Sequence, residues 1–480
     1  MRFATPAALT ACLALAACAT PREPVVNLPA AFEAPQGQAA ADVLERWWLA
    51  FDDPELTRLV EDALAKNPDA LTAAQRVREA NAVRASALFR FLPQGDLTGS
   101  TRETHSTQLD GTAINIPGYS NSGVSTNSQA NFNVSWEVDL FGRIFAAARA
   151  ANADVAAVRF AAEGARASLA ANVADAYFQA RGLAIQLDDA RATVRIQQEI
   201  SRVATARAER GLGPTSDADR VAGDLAQARS QAAGLEAELQ AARRSLLILS
   251  GAPIEPTASL EVPASVGKVP PMPAAIPSDV ITRRPDVREA QARVTAAAGR
   301  LQVANLAFLP TINFTPGVGW AHTDQPATLA GQPNFTSTSR SWSIGGSVMQ
   351  PILDIPRLIA ELKAQDARTE QAVLAYEKAV QTAFGETENT LVRLDADRRR
   401  VEILEDGAQR ARRSYEASLT RYKAGIDDLQ TTLGAEQSWR AVRSQLAAAQ
   451  VQALRRTVQS YKALGGGWPA QSYTKTAQAR

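Results

Sequence analysis

The sequence predicts a mixed α/β membrane protein built from two copies of one unit, each an amphipathic β-hairpin joined to very long helices. Three observations carry this. Residues 131–142, NFNVSWEVDLFG, alternate strictly: Phe132, Val134, Trp136 and Val138 are apolar, while Asn133, Ser135, Glu137 and Asp139 are polar. That is the period of a strand with one wet and one greasy face. Residues 143–210 and 357–424 contain no proline, and at 1.5 Å per residue each could run for about 100 Å as a helix. Finally, NPDALTAAQRVREANAVRASALFRFLP at 67–93 matches RPDVREAQARVTAAAGRLQVANLAFLP at 284–310 without a gap.

The N-terminus sets the compartment. MRFATPAALTACLALAACAT combines Arg2 with a short apolar run and small residues, as a secretory leader does; the run is too short for a membrane anchor. Leu15-Ala16-Ala17-Cys18 resembles a bacterial lipobox, so residues 1–17 are expected to be a lipoprotein signal peptide and Cys18 the acylated first residue of the segment 18–54. Ala19 is compatible with outer-membrane delivery. Cys12 would leave with the leader, so no intramolecular disulfide is expected. Apart from that covalent lipid, no cofactor is expected. The 480 residues carry 51 basic and 50 acidic groups, a balance that offers nothing to nucleic acid.

The repeat orders the rest. Pro68 and Pro93 align with Pro285 and Pro310, and His105 with His322, at an offset of 217; LFGR at 140–143 aligns with DIPR at 354–357, and Gly211 and Gly251 with Gly425 and Gly465, at 214. The first copy, 55–250, reads as a helix ending at Pro93, a hairpin over 94–139, and long helices over 143–210 and 217–250. A proline-rich linker, 251–277, leads to the second copy, 278–466, with a hairpin over 311–350 and helices over 357–424 and 428–464; a tail follows at 467–480. Proline ends the first helix of each copy because it restricts its predecessor and cannot donate to a helix. In the second hairpin Ile312, Phe314, Val318 and Trp320 share one parity on the first strand, and Trp342, Ile344 and Val348 share a face of the other strand. Rods this long are not held by propensity alone. Val221, Leu225, Ala228, Ala232, Leu235, Leu239, Ala242, Leu246 and Leu249 recur at spacings of four and three, a heptad seam for a partner helix. Trp439, Val442, Leu446 and Ala449 open the same pattern in copy two.

Four strands of about ten residues are long enough to cross a bilayer when tilted, yet too few to close a barrel. Open edges cannot face hydrocarbon, so strands from several subunits must close one together. Three subunits would give twelve.

The lipobox at Cys18, ERWWLAFDDPELTRLVEDALAKNPD, SWEVDLFGR, RRPDVREAQARV, NLAFLP, RYKAGIDDL and SYKALGGGW, in this order, resemble the TolC-like outer membrane factors, specifically the NodT-type lipoprotein branch. The resemblance covers nearly all of residues 18–468. It implies a homotrimer with a shared twelve-stranded outer-membrane β-barrel that continues into a periplasmic α-helical coiled-coil barrel. It also implies a function as the exit duct of a tripartite efflux pump, with a periplasmic adaptor (membrane fusion) protein and an inner-membrane RND-type pump as partners, an ABC or MFS exporter ranking lower. The alternative is the duct of a type I protein secretion system. On this reading Phe132, Val134, Trp136, Val138, Trp320 and Trp342 face outer membrane lipid, and Asn133, Ser135, Glu137 and Asp139 face a water-filled lumen. Gly142, Pro93, Pro310 and Pro356 mark the strand–helix passages.

In this family the periplasmic tip lies at the helix–turn–helix junctions, matched here by residues 209–219 and 422–430. Gly211, Gly213 and Gly425 fit C-terminal turn positions. Asp217 and Asp427 fit the starts of the following helices, where free N–H groups favour acids. The resemblance makes Asp427, with Asp428 and Asp217 as further candidates, a gate acid that becomes a constricting ring in a trimer; helix capping is the plainer role. Leu429, Gln430, Thr431 and Gln437 depart from the family pattern, which weakens any copied account of the gate's bonds. Arg398-Arg399-Arg400 and Arg412-Arg413 read as solvated helix faces or adaptor contacts. His105 and His322 stand without a cluster at ligand spacing, which argues against a metal. With no Walker loop, GxSxG or HExxH, the expectation is a passive conduit and no enzyme.

Overall fold

A computed structural model describes residues 24–34, 45–107, 123–211, 213–267, 269–271, 277, 283–325, 327, 332–424, 426–427 and 429–467. The lipobox with Cys18, the turn residues Gly425 and Asp428, and most of the tail lie outside the described residues. In chain order the elements are α1 (Pro54–Lys66), α2 (Pro68–Leu88), β1 (Gln94–Ser106), β2 (Gly123–Val138), α3 (Arg143–Glu209), α4 (Thr215–Leu249), α5 (Pro285–Leu306), β3 (Thr311–Gln325), β4 (Phe335–Met349), α6 (Ile355–Lys423) and α7 (Leu429–Ala463). The single helix expected before the first hairpin is two, broken at Asn67, whose backbone is extended because Pro68 follows it. Pro356 does not precede its helix but lies in its first turn, where a missing N–H costs nothing.

The chain divides into two compact units. The first comprises residues 80–155 and 293–373 and holds all four strands. They form one antiparallel sheet in the order β1-β2-β3-β4. The β2–β3 ladder pairs Trp136 with Phe314 and Phe132 with Val318 but skips Val134 opposite Pro316, since proline has no N–H to give. Within the same unit Gly299 lets α5 approach α3: a Cβ there would lie 3.0 Å from that of Ala150. Arg300 pairs with Asp154 at 2.5 Å one residue beyond.

The second unit, residues 24–79, 156–292 and 374–480, carries the main hydrophobic core. Trp47, Phe51, Leu56, Leu59, Tyr177, Phe178, Leu246, Leu454 and Tyr461 are all buried there, with Trp47 stacked on Tyr461 at 5.8 Å. At its centre Asp53 caps α1, accepting from the N–H groups of Glu55 and Leu56, and also receives the Tyr177 hydroxyl at 3.0 Å and Arg181 at 2.5 Å. Burial and the neighbouring Asp53 charge push the Tyr177 hydroxyl well above the usual phenol range.

The linker packs onto this unit. Leu260 and Val262 are buried in the core, and Arg181 donates to the carbonyl and hydroxyl of Ser265. Arg398, expected to be solvated, is half-buried and donates to the carbonyl of Pro270 in that linker. A segment before the core is also tied down. Val25 N–H donates to Glu377 and Ala34 N–H to Glu388, and Phe32 stacks on Phe384. The predicted seam of α4 is buried or half-buried at every position from Val221 to Leu249.

Candidate functional site

The sheet has two chemically opposite faces. Residues opposite one another in an antiparallel ladder share a face, so the pairing fixes its composition row by row. One row holds Val138, Ile312 and Val348; further rows hold Trp136 with Phe314, then Leu97, Phe132, Val318 and Trp342, then Ala130 with Trp320. Farther from the helices the same face turns polar, with Ser128, His322 and Thr338, then Glu103, Thr126, Asp324 and Thr336. The apolar band from Val138 to Ala130 therefore measures about 27 Å along the strand. Its side chains are exposed: Trp342 is 76% and Val348 69% accessible. A sheet that presents such a band to solvent has an unmet partner.

The opposite face carries hydroxyls and amides: Thr98 and Ser100 on β1, Asn127, Gln129, Asn131 and Asn133 on β2, and Ser337, Ser339, Ser341, Ser343 and Ser347 on β4. Glu137 belongs to this face but is not a free lumen charge. Arg143, at the start of α3, donates to both its oxygens at 2.5 and 2.7 Å. Asp139 is half-exposed and accepts the N–H of Phe145 at 2.9 Å, so it also caps α3. Between them Gly142 takes φ +81, with nothing near its missing side chain. Trp136 adds a bond from its indole N–H to the carbonyl of Phe91 at 3.0 Å, bracing the end of α2 against β2. Pro93 and Pro310 each immediately precede a strand. His105 is exposed, and His322 bonds Thr338 at 2.9 Å and stacks on Trp320. Among the described residues no group of three or more His, Cys, Asp or Glu could hold a metal ion. Likewise, no described helix is long and apolar enough to cross a membrane.

The two helical turns belong to the second unit. Gly211 ends α3 with φ +69 and its N–H on Ala208 O; Gly213 is half-exposed, and Asp217 sits exposed in the first turn of α4. Asp427 is largely covered, at 13% side-chain exposure, and pairs with Arg421 at 2.9 Å, with the Ser418 hydroxyl at 3.4 Å. Ile426 N–H closes the turn on Arg421 O. The acid and its cation thus bracket one turn.

A polar network behind that turn went unread in the sequence. Arg443 pairs with Asp189 at 2.5 Å, and Arg440 donates to the Thr193 hydroxyl at 3.0 Å, joining α7 to α3. Glu436 is 2% exposed and stands 3.2 Å from Arg440, but neither of its oxygens receives a well-aligned hydrogen bond among the described residues. Burial pushes its carboxyl up, and Arg440 opposes this. Trp439 stacks on Tyr415 at 5.2 Å, with Arg443 at its other side. The available signal was spacing: Glu436, Arg440 and Arg443 share one face of α7 at i, i+4 and i+7, and Asp189 and Thr193 share one on α3. Higher in the unit, a solvent-open cavity of about 740 Å³ is lined by Phe160, Arg284, Asp286, Glu386, Arg393 and Lys462. Arg284 is already paired there with Asp286 and Glu386.

The family model described as outer membrane efflux protein matches residues 59–252 and 276–466. The pyoverdine export outer membrane protein OpmQ of Pseudomonas putida is 30% identical over 96% of this chain and 97% of its own. The cation efflux system protein CusC of Escherichia coli is 28% identical over 95% and 97%. Among solved structures, the outer-membrane channel OprN superposes with a TM-score of 0.78 at 26% identity, covering 94% of this chain and all of that one. The open state of the Neisseria gonorrhoeae MtrE channel gives 0.76 at 24% identity.

Proposed function

The chain belongs to the outer membrane efflux protein family, and on that premise we propose that it is the exit duct of a tripartite efflux system. It is a trimer whose twelve strands close one barrel in the outer membrane and whose long helices continue across the periplasm. Small molecules enter from an inner-membrane RND-type pump through a periplasmic adaptor and leave by passive conduction. The observation that carries this reading is the two-faced sheet with open edges on β1 and β4. Its apolar band, about 20 Å tall at the usual strand tilt, covers most of the roughly 25 Å lipid-facing belt of outer-membrane barrels, and its hydroxyl- and amide-rich face suits a water-filled lumen.

Two finer assignments go with it. The chain is a lipoprotein of the NodT-type branch, acylated on Cys18, which the Leu15-Ala16-Ala17-Cys18 motif supports. The helical turns form the periplasmic gate, with Asp427 the constricting acid and Arg421 its counter-ion. Native mass spectrometry of the particle extracted from outer membranes tests the assembly and the anchor together. The expected result is a trimer whose subunit begins at Cys18 and carries acyl mass. A water-soluble, lipid-free monomer would overturn the duct.

A further inference from the structure

The cavity of about 740 Å³ in the second unit lies where α5 begins and α7 ends, against α3 and α6. Its carboxylates are already engaged. Arg284 holds Asp286 at 2.7 Å and Glu386 at 2.8 Å, and Glu289 has a partner of its own. Its cations are not all matched. Arg456 is tied to Asp397 at 3.3 Å and to the Gln459 side-chain oxygen at 2.8 Å. Arg393 and Lys462 are exposed and form no ion pair among the described residues. The α3 wall is uncharged, with Phe160, Ala161, Gly164 and Ala167 along it. Arg288 lies 4.1 Å over the Phe160 ring and fixes its plane. One apolar wall and two uncompensated cations thus share a cavity of the size that takes a small organic ligand.

Helical phase tells which way the cavity opens. On α6, Glu377, Phe384 and Glu388 hold Val25, Phe32 and Ala34 of the N-terminal segment. Glu386 and Arg393 lie on the opposite side of that helix, by its 3.6-residue period. On α7, Leu454, Val458 and Tyr461 enter the core, while Arg456 and Gln459 turn away from it and Lys462 flanks them. The cavity therefore opens on the side of α6 and α7 that neither the N-terminal segment nor the core covers. Resting on the duct reading above, we infer that it faces the conduit and is a transit site for aromatic carboxylates. The carboxylate pairs with Arg393 and Lys462, and the flat body lies against Phe160 and Gly164. Charge-assisted hydrogen bonds hold the anion, and the solvent exposure of both cations keeps the hold weak enough for release.

The test is calorimetric titration of the full-length protein, extracted in detergent, with benzenetricarboxylate at low salt. This probe is flat and too highly charged to enter micelles or lipid. Saturable binding is expected in the wild type. Arg393→Gln and Lys462→Gln are each expected to weaken it by about tenfold, the worth of one charge-assisted bond. Arg413→Gln makes the same charge change at an exposed position of α6 outside the cavity and is expected to leave binding unchanged. Equal weakening by Arg413→Gln, or displacement of the probe by sulfate at matched ionic strength, reports a diffuse charge effect and overturns the site. In planar bilayers the same probe is expected to lower the wild-type current more than that of Arg393→Gln; binding without any effect on current overturns the placement in the conduit. A trimer that conducts and does not bind the probe overturns the site and leaves the duct standing. A lipid-free monomer overturns the duct itself.

Discussion

Asn67 donates its side-chain amide to the carbonyl of Leu249 at 2.9 Å, and Arg284 makes the same contact to Ala463 at 3.2 Å. The two donors are 217 residues apart and the two acceptors 214. Each contact satisfies a terminal carbonyl of a descending helix with the residue just before the first ascending helix of its own copy. The donors differ because copy one uses a neutral amide that also caps α2 through Asp69 N–H. Copy two uses a cation that bridges to Asp286 and Glu386. Duplication has kept the joint and changed its chemistry.

That joint needs glycine beside it. Gly251 and Gly465 have φ of +81 and +75, and a Cβ on either would lie within 3.0 Å of the backbone of residue 66 or 283. Gly465→Ala is expected to cost on the order of 2 kcal/mol or more, read as a lower midpoint for thermal dissociation of the trimer. Gly223→Ala, inside α4 where no atom lies near, is the control and is expected to leave the midpoint unchanged or slightly raised.

Asp53 accepts from four residues at once, and its ion pair with Arg181 is 14% and 7% exposed. Asp53→Ala strands a buried guanidinium and uncaps α1, for a loss of about 3–5 kcal/mol in unfolding. Asp53→Asn retains the capping oxygen and is expected to lose clearly less.

Val318 lies mid-band on the apolar face, opposite Phe132. Val318→Arg is expected to destabilise the membrane-inserted trimer by about 2–4 kcal/mol, measured by urea-driven unfolding in lipid vesicles. Asn133→Arg, one pleat away on the polar face, should leave stability nearly intact.

Glu436 gives the tip a pH dependence of definite sign. Burial raises its folded pKa above the unfolded value. Its favourable contribution is therefore complete below the unfolded value and lost as pH rises through the folded one. Contact between α7 and α3 should tighten on mild acidification, observed as slower amide exchange around Arg440. Glu436→Gln should weaken that response, the remainder coming from Asp189, whose carboxyl burial also pushes up against the opposing Arg443 charge.

If Asp427 constricts the pore as proposed, Asp427→Ala is expected to raise single-channel conductance in planar bilayers and reduce cation preference, since it removes that charge and its tie to Arg421. Unchanged conductance and selectivity would leave Asp427 as a turn residue alone.

The elements most legible in the sequence were those governed by one local rule. Alternation about Trp136 places β2, and proline-free alanine-rich runs place α3 and α6. The unread features join positions far apart in the chain. That Asp53 receives Tyr177 and Arg181 depends on how α1 lies on α3. That Arg440 reaches Thr193 depends on the relative phase of helices separated by more than two hundred residues. The cap that Asp139 puts on α3 went unread for a related reason: the strand ends at Val138, after which parity alone no longer decides what a side chain meets.

The serine and asparagine face of the sheet has a consequence for selection. On the described strands its only charged side chains are Asp96, Arg102 and Glu137, and Glu137 is neutralised by Arg143. In the proposed duct a solute passing such a wall exchanges hydrogen bonds with many equivalent hydroxyls and meets charge at Asp96 and Arg102. On the proposed duct reading, the described strands sort solutes weakly by chemistry, and most of the discrimination falls to the steps before the barrel.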